Sequence, residues 1–264
     1  MIVMLTAVFA QTMSSAPDIR TTEDPSVGSP FTVALGQTKI SGLVHRVEIV
    51  DFGLEVSGKT KTGWFAYRHD CTGKIAVAHN SSSVTRFLQT QSGPQVFVDD
   101  ISDLPGCGGG ISAETDISTL GGICDSVNAI DVLVPITPEA VALAGGDETL
   151  VTSAVQAAIL TSNEVYFNSE LSLRVRAVDF LFLEDSEPAG AGALLDAMSN
   201  PADGVFDEIQ AARDESKADL VALISGNDYA FCGVAFLGPG PGSVWSQTLF
   251  GCLAGYTFVH ELGH

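Results

Sequence analysis

His260-Glu261-Leu262-Gly263-His264 are the last five residues of the sequence, and their reading decides the rest. On a helix of 3.6 residues per turn, side chains at i and i+4 are turned only about 40° apart, so both imidazoles can face one metal ion. Glu261 lies about 100° round from His260, within reach of a metal-bound water without ligating the metal. This is the H-E-x-x-H arrangement, in which two neutral imidazoles hold Zn²⁺, the zinc lowers the pKa of its water and the glutamate takes the proton. The plain alternative is a surface helix turn that carries two histidines by coincidence. Tyr256, Phe258 and Val259 just upstream are hydrophobic, as suits a helix buried beneath a sheet, and favour the zinc reading.

The 264 residues allow two modest domains, and an apolar content of 45% excludes a disordered chain. No apolar run reaches the ~20 residues that span a bilayer, so no membrane span is expected. A net charge of −20 argues against nucleic acid and anionic membranes as partners. The charge is unevenly placed. Seven of the twelve basic residues fall between Lys39 and Arg86, and none lies between Arg86 and Arg174, where twelve carboxylates do. Two separate units are therefore expected. Nothing in the sequence fixes the oligomeric state.

Residues 1–10 read as a signal peptide, with apolar Ile2–Ala10 and Val8-Phe9-Ala10 before Gln11, which implies a secreted, extracellular protein. Residues 11–30, rich in Ser, Thr, Pro and Asp, read as a disordered lead-in. From 31 to 98 come short apolar or alternating runs punctuated by Gly, Ser and Asn: Leu43–Val50, Gly53–Val56, Trp64–Tyr67, Lys74–Ala78, Val84–Leu88 and Gln95–Val98. That is a small β-rich domain. Its His45, His69 and His79 are expected to be surface or half-buried residues, not ligands. Residues 99–127, Gly-rich and acidic, read as an exposed linker.

From 128 to 264 strands and helices alternate. Ala129–Ile136 and Asp219–Ile224 are nearly continuous apolar runs, as in strands buried on both faces. Asp147 and Glu148 open a helix that runs to about Asn168, and Leu171 to about Leu183 forms a half-buried strand. Gly192–Ser199 and Val205–Lys217 read as helices, and Cys232–Gly238 as a short strand. The spacing predicts an α/β domain with a mainly parallel sheet.

Several ordered segments resemble the metzincins, more narrowly the reprolysin-like (adamalysin-type) zinc metalloproteases with their propeptide attached. They are Asp131-Val132-Leu133-Val134 with Thr137-Pro138-Glu139-Ala140, Asn163 to Val178, Ala218-Asp219-Leu220-Val221, Cys232-Gly233-Val234-Ala235 and Phe258 to His264. The resemblance covers about half the chain. It implies a metzincin-like upper catalytic subdomain: a mainly parallel sheet with an antiparallel edge strand, covering helices and a C-terminal active-site helix, preceded by a β-rich propeptide domain. It further implies His260 and His264 as zinc ligands and Glu261 as general base. Val234, Ala235, Phe236 and Leu237 would form the edge strand on which an extended protein or peptide substrate pairs. The implied activity is that of a secreted zinc metalloendopeptidase, made as a zymogen.

The family pattern continues as H-E-x-x-H-x-x-G-x-x-H, whereas here nothing follows His264. A catalytic zinc takes three protein ligands, so the expectation is a fragment of a longer precursor, inactive or nearly so as it stands. A relative whose third ligand is a downstream glutamate stays open. So does a different class, a non-catalytic secreted binding protein or an inactive metzincin relative. Of five cysteines, Cys232 and Cys252 flank the expected edge strand and the approach to the zinc helix, and are expected to pair. Cys107, in the Gly-rich linker, is the candidate free thiol. It resembles propeptide cysteine switches in role and placement, with Cys71–Cys124 then a second bridge. A disulfide from Cys107 to either of those is the alternative.

Overall fold

A computed structural model describes residues 19–21, 25–50, 53–70, 73–102, 104, 110–112, 129–227, 229–238 and 241–264. The expected signal peptide, most of the lead-in, Cys71, Cys107 and Cys124 lie outside these residues. The fold is mixed α/β and contains two sheets.

The first sheet is an antiparallel meander whose spatial order is its sequence order. Its strands are β1 (Arg20–Thr21), β2 (Pro30–Leu35), β3 (Thr38–Val50), β4 (Gly53–Lys59), β5 (Trp64–Asp70), β6 (Gly73–His79), β7 (Ser83–Leu88) and β8 (Gln95–Asp100). Successive side chains point to opposite faces, and here both faces are covered. Along β5, Phe65 and Tyr67 join Phe31, Val33, Val56 and Phe87 in one core, while Ala66 points the other way with Ile75, Val77, Val84 and Leu88.

The second sheet has the order β11-β10-β12-β14-β13-β9. Its strands are β9 (Gly110–Ser112), β10 (Ala129–Ile136), β11 (Arg174–Phe182), β12 (Leu220–Ser225), β13 (Gly233–Leu237) and β14 (Trp245–Leu249). β10, β11, β12 and β14 pair in parallel, and β13 runs antiparallel to β14. One face carries α1 (Pro138–Leu143) and α2 (Glu148–Asn168), whose residues join its core. The other packs against α3 (Ala191–Ser199) and α4 (Glu208–Ser216) around Leu194, Leu195, Met198, Phe206 and Ile209.

Helix α2 positions everything else. Its Asp147 cap accepts from the Leu150 N–H at 2.8 Å, after Gly145 and Gly146 turn the chain at φ of 70° and 83°. The helix is apolar or small on nearly every side, which predicts burial all round. One side meets the parallel sheet, and the other meets the meander. The two expected units meet in a common core: Ala66, Ile75, Val77, Val84 and Leu88 share it with Val132, Val134, Val155 and Ile159.

Polar contacts mark the same face of α2 at helical spacing. Ser153 Oγ accepts from the Gln89 N–H at 2.8 Å, and Gln156 from Arg68 at 3.3 Å. Glu164, fully buried, meets His45 at 2.9 Å and Arg46 at 3.4 Å. Arg174 reaches back to Glu48 and, at 2.6 Å, to Glu55. The uneven placement of basic residues in the sequence thus appears as an ionic seam between the halves.

Candidate active site

α5 (Thr257–Leu262), which carries His260 and ends two residues before His264, is six residues long, too short to hold itself together in water. Packing fixes it: Thr257, Phe258, Val259 and Glu261 are buried, and the helix leans on α2, β13 and β14. A disulfide between Cys232 and Cys252 ties the residue before β13 to the approach to α5.

His260 and His264 are presented together. Their rings meet edge to face with centroids 4.6 Å apart, and their Nε2 atoms lie 3.0 Å apart. Two imidazoles on a tetrahedral zinc, each at about 2.0–2.1 Å, would have their nitrogens about 3.3 Å apart, so this pair need open only slightly to share the ion. Burial, then the neighbouring His260, holds the His264 pKa below its ordinary value, which favours the neutral, ligating form. Glu261 is 2% exposed, with Oε2 3.9 Å from His264 Nε2. The donor set, two imidazoles beside a buried carboxylate, fits zinc. Among the described residues no group of three His, Cys, Asp or Glu is placed to hold a metal.

Val234, Ala235, Phe236 and Leu237 lie in β13 as expected, but not at a bare edge. Gly110–Ser112, from the stretch read as an exposed linker, pairs with them in parallel as β9, in the register Ala235 to Gly110, Phe236 to Ile111 and Leu237 to Ser112. The physical reason is general: a strand edge offers a row of unsatisfied N–H and C=O groups to any extended segment that can reach it.

His79, expected at or near the surface, is 2% exposed. It stacks between Trp64, at 4.4 Å between centroids, and Tyr256, at 4.9 Å, and Tyr256 caps α5. Neither His79 nor Tyr256 stands in a motif, and their meeting across 177 positions leaves no local signal. His45 pairs with Glu164, and His69 is exposed.

Residues 152–264 match the family described as Metallo-peptidase family M12B, reprolysin-like. Two proteins named peptidyl-Asp metalloendopeptidase from Stenotrophomonas maltophilia strains are 31% and 32% identical over 137 residues, 51% of this chain and 32% of theirs. One of the same name from Pseudomonas aeruginosa is 31% identical over 152 residues, 51% of this chain and 24% of its own. The chain thus spans a third or less of the length of these relatives. Metalloproteinase-II from Bacteroides fragilis aligns over 88% of this chain and 78% of its own at a TM-score of 0.49 and 10% identity. The match over residues 152–264 takes in α5 and both imidazoles, and that part of the chain is similar to the reprolysin-like metallopeptidases of family M12B.

Proposed function

We propose that the protein is a secreted zinc metalloendopeptidase made in a latent form. The observation that carries this reading is the convergence of His260 and His264 Nε2 atoms beside the buried carboxylate of Glu261. His260 and His264 would hold the zinc, with a third ligand from outside the described residues. When bound, the ion supplies Lewis acidity toward a scissile carbonyl and lowers the pKa of water at the site. Glu261 would act as general base, taking a proton from the attacking water and passing it to the leaving amine. Its burial shields that transfer from bulk solvent. The backbone of β13 would bind an extended peptide as an added strand.

Latency follows from the same edge. Gly110–Ser112 lies where such a peptide would pair, so the N-terminal sheet with its trailing segment would act as a propeptide that keeps substrate out. Cys107, three positions upstream, remains the proposed switch thiol. The proposed units are 1–10 as signal peptide, 31–98 as propeptide domain and 128–264 as catalytic domain. The named relatives make bonds beside Asp the first substrates to try.

The test is the complete gene product, freed of its propeptide, on Asp-containing peptides. Glu261→Gln should lower kcat by about 10²-fold or more with zinc retained. Cys107→Ser in the uncleaved protein should raise basal proteolysis. Absence of stoichiometric zinc, with peptidase activity indifferent to E261Q, would overturn the reading and favour a secreted binding protein.

A further inference from the structure

Gly233 opens β13, where it pairs with Thr248 of β14. It is buried, and its φ lies outside the left-handed region, so its backbone asks nothing that only glycine can give. The space above its Cα does. A Cβ added there would lie 2.7 Å from Glu261 Cγ, 2.7 Å from Glu261 Oε1 and 2.8 Å from the Gln247 carbonyl oxygen. Carbon atoms in good contact sit about 3.5–4.0 Å apart, so the Glu261 side chain lies flat against the bare strand and occupies the volume that any other residue would fill. Strand and helix cannot readily slide apart to relieve a clash, because the Cys232–Cys252 bond fastens the residue before Gly233 to the approach to α5.

We infer that Gly233 is a positioning residue for Glu261: its missing side chain forms the slot that holds the carboxylate in place. This rests on Glu261 being the general base, and it adds a requirement that lies outside the zinc motif. A base displaced by about 1 Å costs on the order of 10²-fold in rate, so the slot bears on turnover and not on substrate affinity.

The experiment uses the complete gene product and has two readouts. In the zinc-loaded, propeptide-free enzyme, Gly233→Ala should lower kcat about 10- to 100-fold, leave KM within about threefold and leave zinc stoichiometry unchanged. Separately, urea unfolding of G233A, E261A and the double variant reads the contact without catalysis. The fall in midpoint caused by G233A should be at least halved when E261A has removed Cγ and the carboxylate. Folding of G233A only in the E261A background is the extreme form of that result. A kcat within twofold of the parent, or an equal midpoint loss in both backgrounds, overturns the inference and leaves Gly233 serving only the approach of the Gln247 carbonyl. A parent without peptidase activity refutes the role given to Glu261, while the unfolding cycle still decides whether the slot exists.

Discussion

The Glu187 carboxylate accepts four hydrogen bonds: from the Thr137 hydroxyl at 2.5 Å, the Gly226 N–H at 2.6 Å, the Asn227 N–H at 3.0 Å and the Tyr229 hydroxyl at 2.8 Å. One side chain thereby ties the end of β10, the residues after β12 and the approach to β13. Burial, then the bond to Glu187, pushes the Tyr229 phenol well above its ordinary pKa. Gly226 is close-packed at the same place; a Cβ there would lie 2.1 Å from the Glu139 carbonyl carbon. Glu187→Gln keeps the shape but turns an amide N–H₂ toward donors. Hydrogen bonds to a charged group contribute about 1.5–3 kcal/mol, so E187Q should lose about 2–3 kcal/mol. At this chain length that is about 5–10 °C in Tm, and a thermal melt within about 1 °C of the parent would show the carboxylate to be dispensable. Glu187 sits in an ordinary acidic loop, Glu184-Asp185-Ser186-Glu187, and nothing local distinguishes it from a solvated carboxylate.

Among the elements, those built of apolar residues were legible, and those built of polar residues were not. Ala129–Ile136 reads as a buried strand and is β10 to the residue. The helix opened by Asp147 is α2, because an Asx cap followed by good helix formers signals the same start in sequence and in space. β14 escaped. Its Ser246, Gln247 and Thr248 are consecutive polar residues with no apolar alternation, yet they are buried in the middle of the sheet. Ser246 donates to the Val221 carbonyl at 3.3 Å and Gln247 to Ser225 Oγ at 2.5 Å, partners that exist only once β12 is alongside. β9 escaped because three residues among glycines carry no period, and α1 because six residues starting at Pro138 are shorter than any periodic window. The approach of His260 to His264 was legible because its geometry is local to one helical turn. The close approach of Gly233 to Glu261 was not, since it needs β13 and α5 brought together.

The Cys232–Cys252 bond belongs to this scale, joining a strand to a helix that neither length nor propensity would hold. Closing a loop with a sequence separation of 20 contributes about 3 kcal/mol in the chain-entropy account. Cys232→Ala with Cys252→Ala should lower the urea midpoint accordingly. Hydrogen exchange should then report faster opening in α5 than in α2, whereas uniform loosening would mean that the bond braces the whole sheet and not the helix.

At the scale of the molecule, the two halves meet along α2 through an apolar stripe and an ionic seam, and His79 stands where the meander reaches α5. Its ring is stacked between Trp64 and Tyr256, and Nε2 lies 3.4 Å from Thr161 Oγ1 of α2. Arg86, on the neighbouring strand and paired with Asp99 at 2.8 Å, is the charged group that acts on it. Burial first and Arg86 second lower its pKa from 6.5 to about 4. A folded-state pKa below the unfolded value means that the unfolded chain binds the proton more readily. The contribution of His79 is therefore complete above about pH 6.5, is lost as pH falls toward 4 and changes no further below that. Between pH 7 and 5 the loss from this one group is about 2 kcal/mol, at 1.36 kcal/mol per pKa unit. Carboxylates elsewhere add their own acid sensitivity, so the measurement is a difference: urea unfolding of the parent and of His79→Phe, which keeps a ring between Trp64 and Tyr256 but has no proton to bind. The parent should lose about 2 kcal/mol more than H79F over that range. Parallel pH profiles would mean that His79 stays neutral, or is protonated at no cost, and that acid acts on the junction of the two halves through other groups.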